Sequence, residues 1–217
     1  VLVLPGLGTS DWSTRVLRRW LRRAGFDPRG WGLGLHRPRV DRTLHRLLPQ
    51  LEHLAAERFE PIFLVGWSLG GLVARELARL RPDLVRGVVT LGTPVRGGFR
   101  LTALATFYRL QGYDPREAER LLEAVQRVPL RVPVLAILSR QDGIVAWEAA
   151  VDPWNPAVEH RLASSCHWGL GLDPEGIEAI CDQLDRWCQD TSEARCPQPR
   201  MERGTRTREL EAGATHT

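Results

Sequence analysis

Five residues, Gly66-Trp67-Ser68-Leu69-Gly70, constrain this chain more than any others. Alone, a G-x-S-x-G pattern arises by chance; its flanks give it weight. Pro61-Ile62-Phe63-Leu64-Val65 precedes it, a short apolar run that reads as a buried strand. Gly71 to Leu80 follows, with apolar residues at 69, 72, 73, 77 and 80 in helical spacing and Arg75, Glu76 and Arg79 on the other side. Strand, sharp turn and helix are thus expected in succession. The glycines let the backbone turn without Cβ clashes, so the Ser68 hydroxyl stands at the strand's C-terminal end. The N-terminal amides of the next helix point at the same spot.

The rest of the chain fits an α/β domain. Its 217 residues suffice for one core, and its apolar content of 43% argues against disorder over most of its length. Val1–Leu4, about Arg29–Leu33, Leu84–Leu91, Val132–Leu138 and Val158–Leu162 read as further strands. Helices are expected from about Trp12 to Arg23, Pro38 to Arg58 with Pro49 interrupting it, and Pro174 to Cys188. Alternation of strands and helices implies a mostly parallel sheet of about six strands with helices on both faces. Residues 95–130 read as a glycine-rich loop and two helices, about Thr102–Leu110 and Pro115–Arg127. The domain is expected over 1–188, with 95–130 as a small helical cap and 189–217 as a disordered tail.

Charge and cysteine usage exclude several roles. The net charge is +4, but every basic residue is arginine and these are scattered among acids, so a solvated surface is expected rather than a nucleic-acid footprint. No apolar run approaches the ~18 residues of a membrane span. Cys166, Cys181, Cys188 and Cys196 show no metal spacing, and Cys181 and Cys188 are too far apart along one helix for a disulfide. No metal or organic cofactor is expected. A reduced, cytoplasmic setting is the default, with Cys166 a buried inert thiol. The chain starts inside a strand without an initiator methionine, so upstream residues are expected to be missing from it, and with them any signal peptide or anchor they carried.

The pentapeptide and its flanks resemble the nucleophile elbow of the α/β-hydrolase superfamily, in its lipase and esterase branch, over about residues 1–188. That resemblance implies an α/β-hydrolase fold, here without its first strands. It makes Ser68 the nucleophile, followed along the chain by an acid and a histidine. Asp142, in Ser139-Arg140-Gln141-Asp142-Gly143-Ile144-Val145, sits directly after a strand and resembles the acid loop of that branch. An ordinary Asp-Gly turn is the plainer reading, and Asp152 is the reserve. His167, in Ser164-Ser165-Cys166-His167-Trp168-Gly169, follows the last strand and matches the base. His36, His45 and His53 precede the serine, and His160 lies within a strand. The oxyanion donors implied are the backbone amides of Leu69 and Leu7. The latter lies in Pro5-Gly6-Leu7-Gly8, which resembles the H-G-x-G loop with Pro5 in the histidine's place. Gly92-Thr93-Pro94-Val95-Arg96-Gly97 resembles G-T-P-H-x-G, with Val95 for histidine, and is read as structural.

The expected function is a serine hydrolase of carboxylic esters, acting on small-molecule or lipid-like substrates with medium or long acyl chains. An acyltransferase with the same residues, a non-catalytic hydrolase-fold binding protein and a truncated copy remain the alternatives.

Overall fold

The computed structural model describes residues 1–97, 120 and 123–195 of the chain. The helix expected at 102–110, most of that at 115–127, and the tail beyond 195 lie outside the described residues; residues 123–126 are helical. Six parallel strands form one sheet in the order β2-β1-β3-β4-β5-β6. They are β1 (Leu2–Leu4), β2 (Arg29–Gly30), β3 (Ile62–Trp67), β4 (Val85–Leu91), β5 (Val134–Leu138) and β6 (Val158–Leu162). The helices are α1 (Arg15–Arg23), α2 (Val40–Arg58), α3 (Leu69–Leu80), α4 (Trp147–Ala150) and α5 (Pro174–Arg195).

Side-chain alternation along the strands builds two cores. Leu2, Leu4, Leu64, Val88 and Val134 face α2 and α3, where Leu47, Leu51, Val73 and Leu77 meet them. Val3, Val65, Val89, Leu135 and Ile137 face α1 and α5, against Leu17, Leu21, Ile177, Ile180 and Leu184. A central strand covered on both sides must be apolar at every position, which is why β3 reads as an unbroken run.

Several elements are shorter or longer than their sequence pattern. β2 keeps only two residues, because Gly32 and Gly34 adopt positive φ and leave the ladder. Residues 10–14 form turns before α1, with Thr14 at its N-cap. Pro49 lies inside α2 without ending it, at the cost of one intrahelical bond to the His45 carbonyl. α5 continues past Cys188 to Arg195.

Connectivity decides where a site can lie. From β1 the chain leaves towards β2; from β3 it leaves towards β4 on the other side. The crevice beyond the C-terminal ends of β1 and β3 is therefore a topological switch point, where open α/β sheets bind ligands. The register keeps the strand ends level there: Leu4 is opposite Gly66, Trp67 opposite Leu91, and Leu91 opposite Ile137.

One buried ion pair ties the helix after β3 to a distant loop. Arg75 Nη1 lies 2.8 Å from Asp152 Oδ2, both side chains being 1% exposed. Arg75 Nε also donates to Gln126 Oε1 at 2.6 Å. Arg75→Ala should destabilise the protein by about 3–5 kcal/mol, because it strands a buried carboxylate. Replacing both partners by apolar residues, as Arg75→Met with Asp152→Leu, should cost far less. Urea unfolding of the two variants checks this.

Candidate active site

Ser68 occupies a backbone conformation that few L-residues accept, with φ 54° and ψ −120°. The local sequence leaves it little choice. A Cβ on Gly66 would lie 2.4 Å from the Gly70 carbonyl oxygen, and one on Gly70 would lie 2.6 Å from the Leu4 and Pro5 carbonyl oxygens. The turn is thus closed against both the start of α3 and the end of β1. Its main chain is fixed on both sides. Ser68 N–H donates to Leu91 O at 2.7 Å, while Ser68 O accepts from Gly71 N–H at 2.9 Å and from the Thr93 hydroxyl at 3.0 Å.

The acid and the histidine predicted from the strand ends meet. Asp142 and His167, each 4% exposed, pair through Oδ2 and Nδ1 at 2.7 Å. Asp142 Oδ1 accepts from the Ile144 and Val145 amides at 3.0 and 2.6 Å, and His167 N–H donates to the Asp142 carbonyl at 2.9 Å. Since the carboxylate faces Nδ1, the proton of the neutral ring belongs there, and Nε2 keeps its lone pair. Gly92, at φ 52°, makes room for this pair. A Cβ there would lie 2.8 Å from Asp142 Oδ2 and 3.0 Å from His167 Nδ1. The Trp67 indole donates to the His167 carbonyl at 3.1 Å, tying the histidine loop to the residue before the serine.

Ser68 and His167 line one cavity of about 680 Å³ with Gly6, Leu7, Trp67 and Ile144. Leu7 sits inside the turn closed by Thr9 N–H to the Gly6 carbonyl at 3.2 Å, and Leu69 opens α3. Their side chains pack in one small cluster with Leu72 and Val95, so the two backbones are held close to the same spot. As the first residue of α3, Leu69 has an N–H with no carbonyl one turn behind it in the helix.

Two other candidates find different places. Asp152 stays out of this group, because Arg75 takes one carboxylate oxygen and the Trp154 and Asn155 amides take the other. Cys166 is exposed rather than buried. A lining from residues 99–122 falls, residue 120 apart, outside the described residues; Leu35 to Arg39 line the cavity, where the sequence reading sets His36 aside on chain order and takes the arginines as a solvated surface.

His36 is the residue that chain order concealed. It follows β2, yet its buried Nδ1 donates to the Pro5 carbonyl at 2.7 Å. Gly8 N–H donates to the His36 carbonyl at 2.9 Å and His36 N–H to the Thr9 carbonyl at 2.8 Å. A histidine thirty-one residues later thus supports the carbonyl of Pro5. Pro5 itself was the available signal, because a loop deprived of its own support must borrow one.

A sequence model of the alpha/beta hydrolase family matches residues 1–216. The chain belongs to the alpha/beta hydrolase family. Solved structures of the fold agree. The lipase-esterase related protein of Clostridium acetobutylicum superposes with TM-score 0.61 at 15% identity, over 86% of this chain and 93% of that one. The esterase Pf2001 of Pyrococcus furiosus gives 0.62 at 17%, over 86% and 82%. The monoacylglycerol lipase of Paleococcus ferrophilus gives 0.59 at 18%, over 86% and 92%. Among the described residues of this hydrolase-family chain, no His, Cys, Asp and Glu cluster could hold a metal, and no helix is long and apolar enough to cross a membrane.

Burial pushes His36 below its ordinary value of 6.5, with the bond to Pro5 acting in the opposite sense. The folded chain thus resists a proton that the unfolded chain accepts. Stability should fall as pH drops below 6.5 and level off beneath the folded value. His36→Asn keeps an amide donor for Pro5 but cannot titrate, so its unfolding free energy should lose that part of the pH dependence. His36→Leu should lose it too and cost about 1–3 kcal/mol through the orphaned carbonyl. Chemical denaturation between pH 7.5 and pH 5 checks both.

Proposed function

We propose that this chain is a serine hydrolase of carboxylic esters. The observation that carries the reading is the buried Asp142–His167 pair at 2.7 Å, whose histidine lines one cavity with Ser68. Ser68 supplies the nucleophile. His167 Nε2 takes its proton as the hydroxyl attacks the ester carbonyl, and Asp142 holds the ring tautomer and offsets its positive charge. The Leu69 and Leu7 amides stabilise the oxyanion of the tetrahedral intermediate. His167 returns the proton to the leaving alcohol. Water then attacks the acyl-enzyme with the same histidine as base. Strain stored at Ser68 costs about 1–3 kcal/mol and keeps the hydroxyl clear of its own backbone.

A lipid-like or medium-chain acyl group suits the cavity. Its wall includes Leu7, Leu35, Trp67, Ile144 and Trp168, and its volume lies in the range of about 300–1,000 Å³ typical of pockets that enclose small molecules. Membership of the hydrolase family supports the reaction class, and the names of the neighbours in fold, lipases and esterases among them, are in keeping with it.

Hydrolysis of p-nitrophenyl esters from acetate to palmitate tests the reading. Ser68→Ala and His167→Ala should each lower kcat by about 10⁴-fold or more, and Asp142→Asn by about 10⁴-fold, with folding intact by circular dichroism. The optimum should fall at a medium or long chain. Turnover that persists in Ser68→Ala rules the mechanism out, and turnover that appears only when an alcohol acceptor is added assigns acyl transfer instead.

A further inference from the structure

The described lining of the cavity beside Ser68 carries permanent charge of one sign. Among the described residues that line it, Arg37 and Arg39 are the charged groups, and no aspartate or glutamate joins them. The opposite side of the sheet, at the N-terminal ends of the strands, is balanced differently. There Arg29 and Arg58 pair with Asp27, Arg81 with Glu52 and Asp83, and Arg86 with Glu60. No carboxylate among the described residues pairs with Arg37 or Arg39.

Both guanidinium groups hang from an anchored backbone. His36, next to Arg37, is bonded to Gly8 and Thr9 of the loop that holds Leu7. Arg39 is the N-cap of α2, and no side chain caps that helix. The free amides and the dipole of the first turn therefore add positive potential at the same lip. Asp41 in that turn offsets part of it, but is exposed and does not line the cavity. A recess with uncompensated positive charge on a partly apolar wall raises the local concentration of anions.

We propose that the preferred substrate is an ester bearing a negative charge, phosphate or carboxylate, which Arg37 and Arg39 hold at the cavity mouth while the ester carbonyl meets Ser68. The assignment rests on the ester-hydrolase reading above. The reaction stays a hydrolysis: the acyl C–O bond breaks, water gives its hydroxyl to the acyl group and a proton to the alcohol, and the anionic group leaves unchanged. Guanidinium groups suit both anions, since their paired N–H donors match two oxygens at once.

Two substrate pairs separate the charge from the rest of the ester. p-Nitrophenyl hexanoate against mono-p-nitrophenyl adipate places the charge on the acyl side. A monoacylglycerol against the corresponding monoacylglycerol 3-phosphate places it on the alcohol side. In at least one pair the full chain should favour the anionic member by about five- to tenfold in kcat/KM at low salt, and the preference should shrink at about 0.5 M salt. The double variant Arg37→Gln with Arg39→Gln should bring the ratio towards one, and Arg37→Glu with Arg39→Glu should invert it. A ratio within one preparation is insensitive to partial misfolding, which lowers both members alike. The pair that responds identifies which side carries the charge. Ser68-dependent turnover of the neutral esters with no anionic preference, or a preference that survives both double variants, overturns the charge assignment alone. Absence of any Ser68-dependent turnover on all four esters overturns the hydrolase reading and this one with it.

Discussion

The strained main chain of Ser68 is the constraint on which the rest of the site depends. A positive φ at a residue with a side chain persists only where the surroundings over-determine it. Here they do so from the two strands that flank β3. β4 receives the Ser68 amide through Leu91, and the loop after β4 returns the Thr93 hydroxyl to the Ser68 carbonyl. β1 lies so close that Gly70 has no room for a side chain beside the Leu4 and Pro5 carbonyls. Gly71 is equally confined, since a Cβ there would sit 1.9 Å from the Thr93 hydroxyl oxygen. The glycines serve close packing as much as flexibility, and that packing brings the start of α3 up to the loop after β1.

Two buried carboxylates in this chain face opposite fates, and their partners explain why. Asp152 meets a guanidinium at 2.8 Å, so its charge is spent on holding Arg75 and, through it, the elbow helix. Asp142 meets only backbone amides at one oxygen, which orient it without cancelling it. Its second oxygen is left to a group that can change charge, the imidazole of His167. Both carboxylates thus take two backbone amides at one oxygen and differ in the partner of the other.

What was legible in the sequence follows from what strands impose. β3 and β5 are covered on both faces, so their apolar runs are continuous, and their ends mark where a polar residue must stand on a loop. Ser68 and Asp142 follow such ends, while His167 follows the largely exposed edge strand β6, in an order read directly from the chain. The strand at 29–33 was overextended because Trp31 and Leu33 continue the apolar pattern while Gly32 and Gly34 have already turned away. Asp152 was an ambiguous acid because its partner, Arg75, looked like part of a solvated helix face; burial of an arginine has no one-dimensional signature. His36 was set aside on chain order, a rule that governs a proton relay but not a hydrogen bond that supports a backbone.

The division between legible and hidden residues has a structural cause. The triad candidates hang from the ladder, whose register fixes them to one another. The segment from Trp31 to Arg39 hangs from a two-residue edge strand and is positioned chiefly by side chains. The Asp11 carboxylate accepts from the Trp31 and Gly32 amides at 2.9 and 3.0 Å, the Trp31 indole donates to the Gly34 carbonyl at 3.1 Å, and His36 binds Pro5. Together with the main-chain bonds of His36 to Gly8 and Thr9, these bonds tie the segment to Asp11 and to the loop after β1 rather than to Ser68, Asp142 or His167. The two groups of residues approach each other at the Pro5–Gly8 loop, whose Pro5 carbonyl and Gly8 amide bond to His36 and whose Leu7 packs with Leu69, the residue after Ser68.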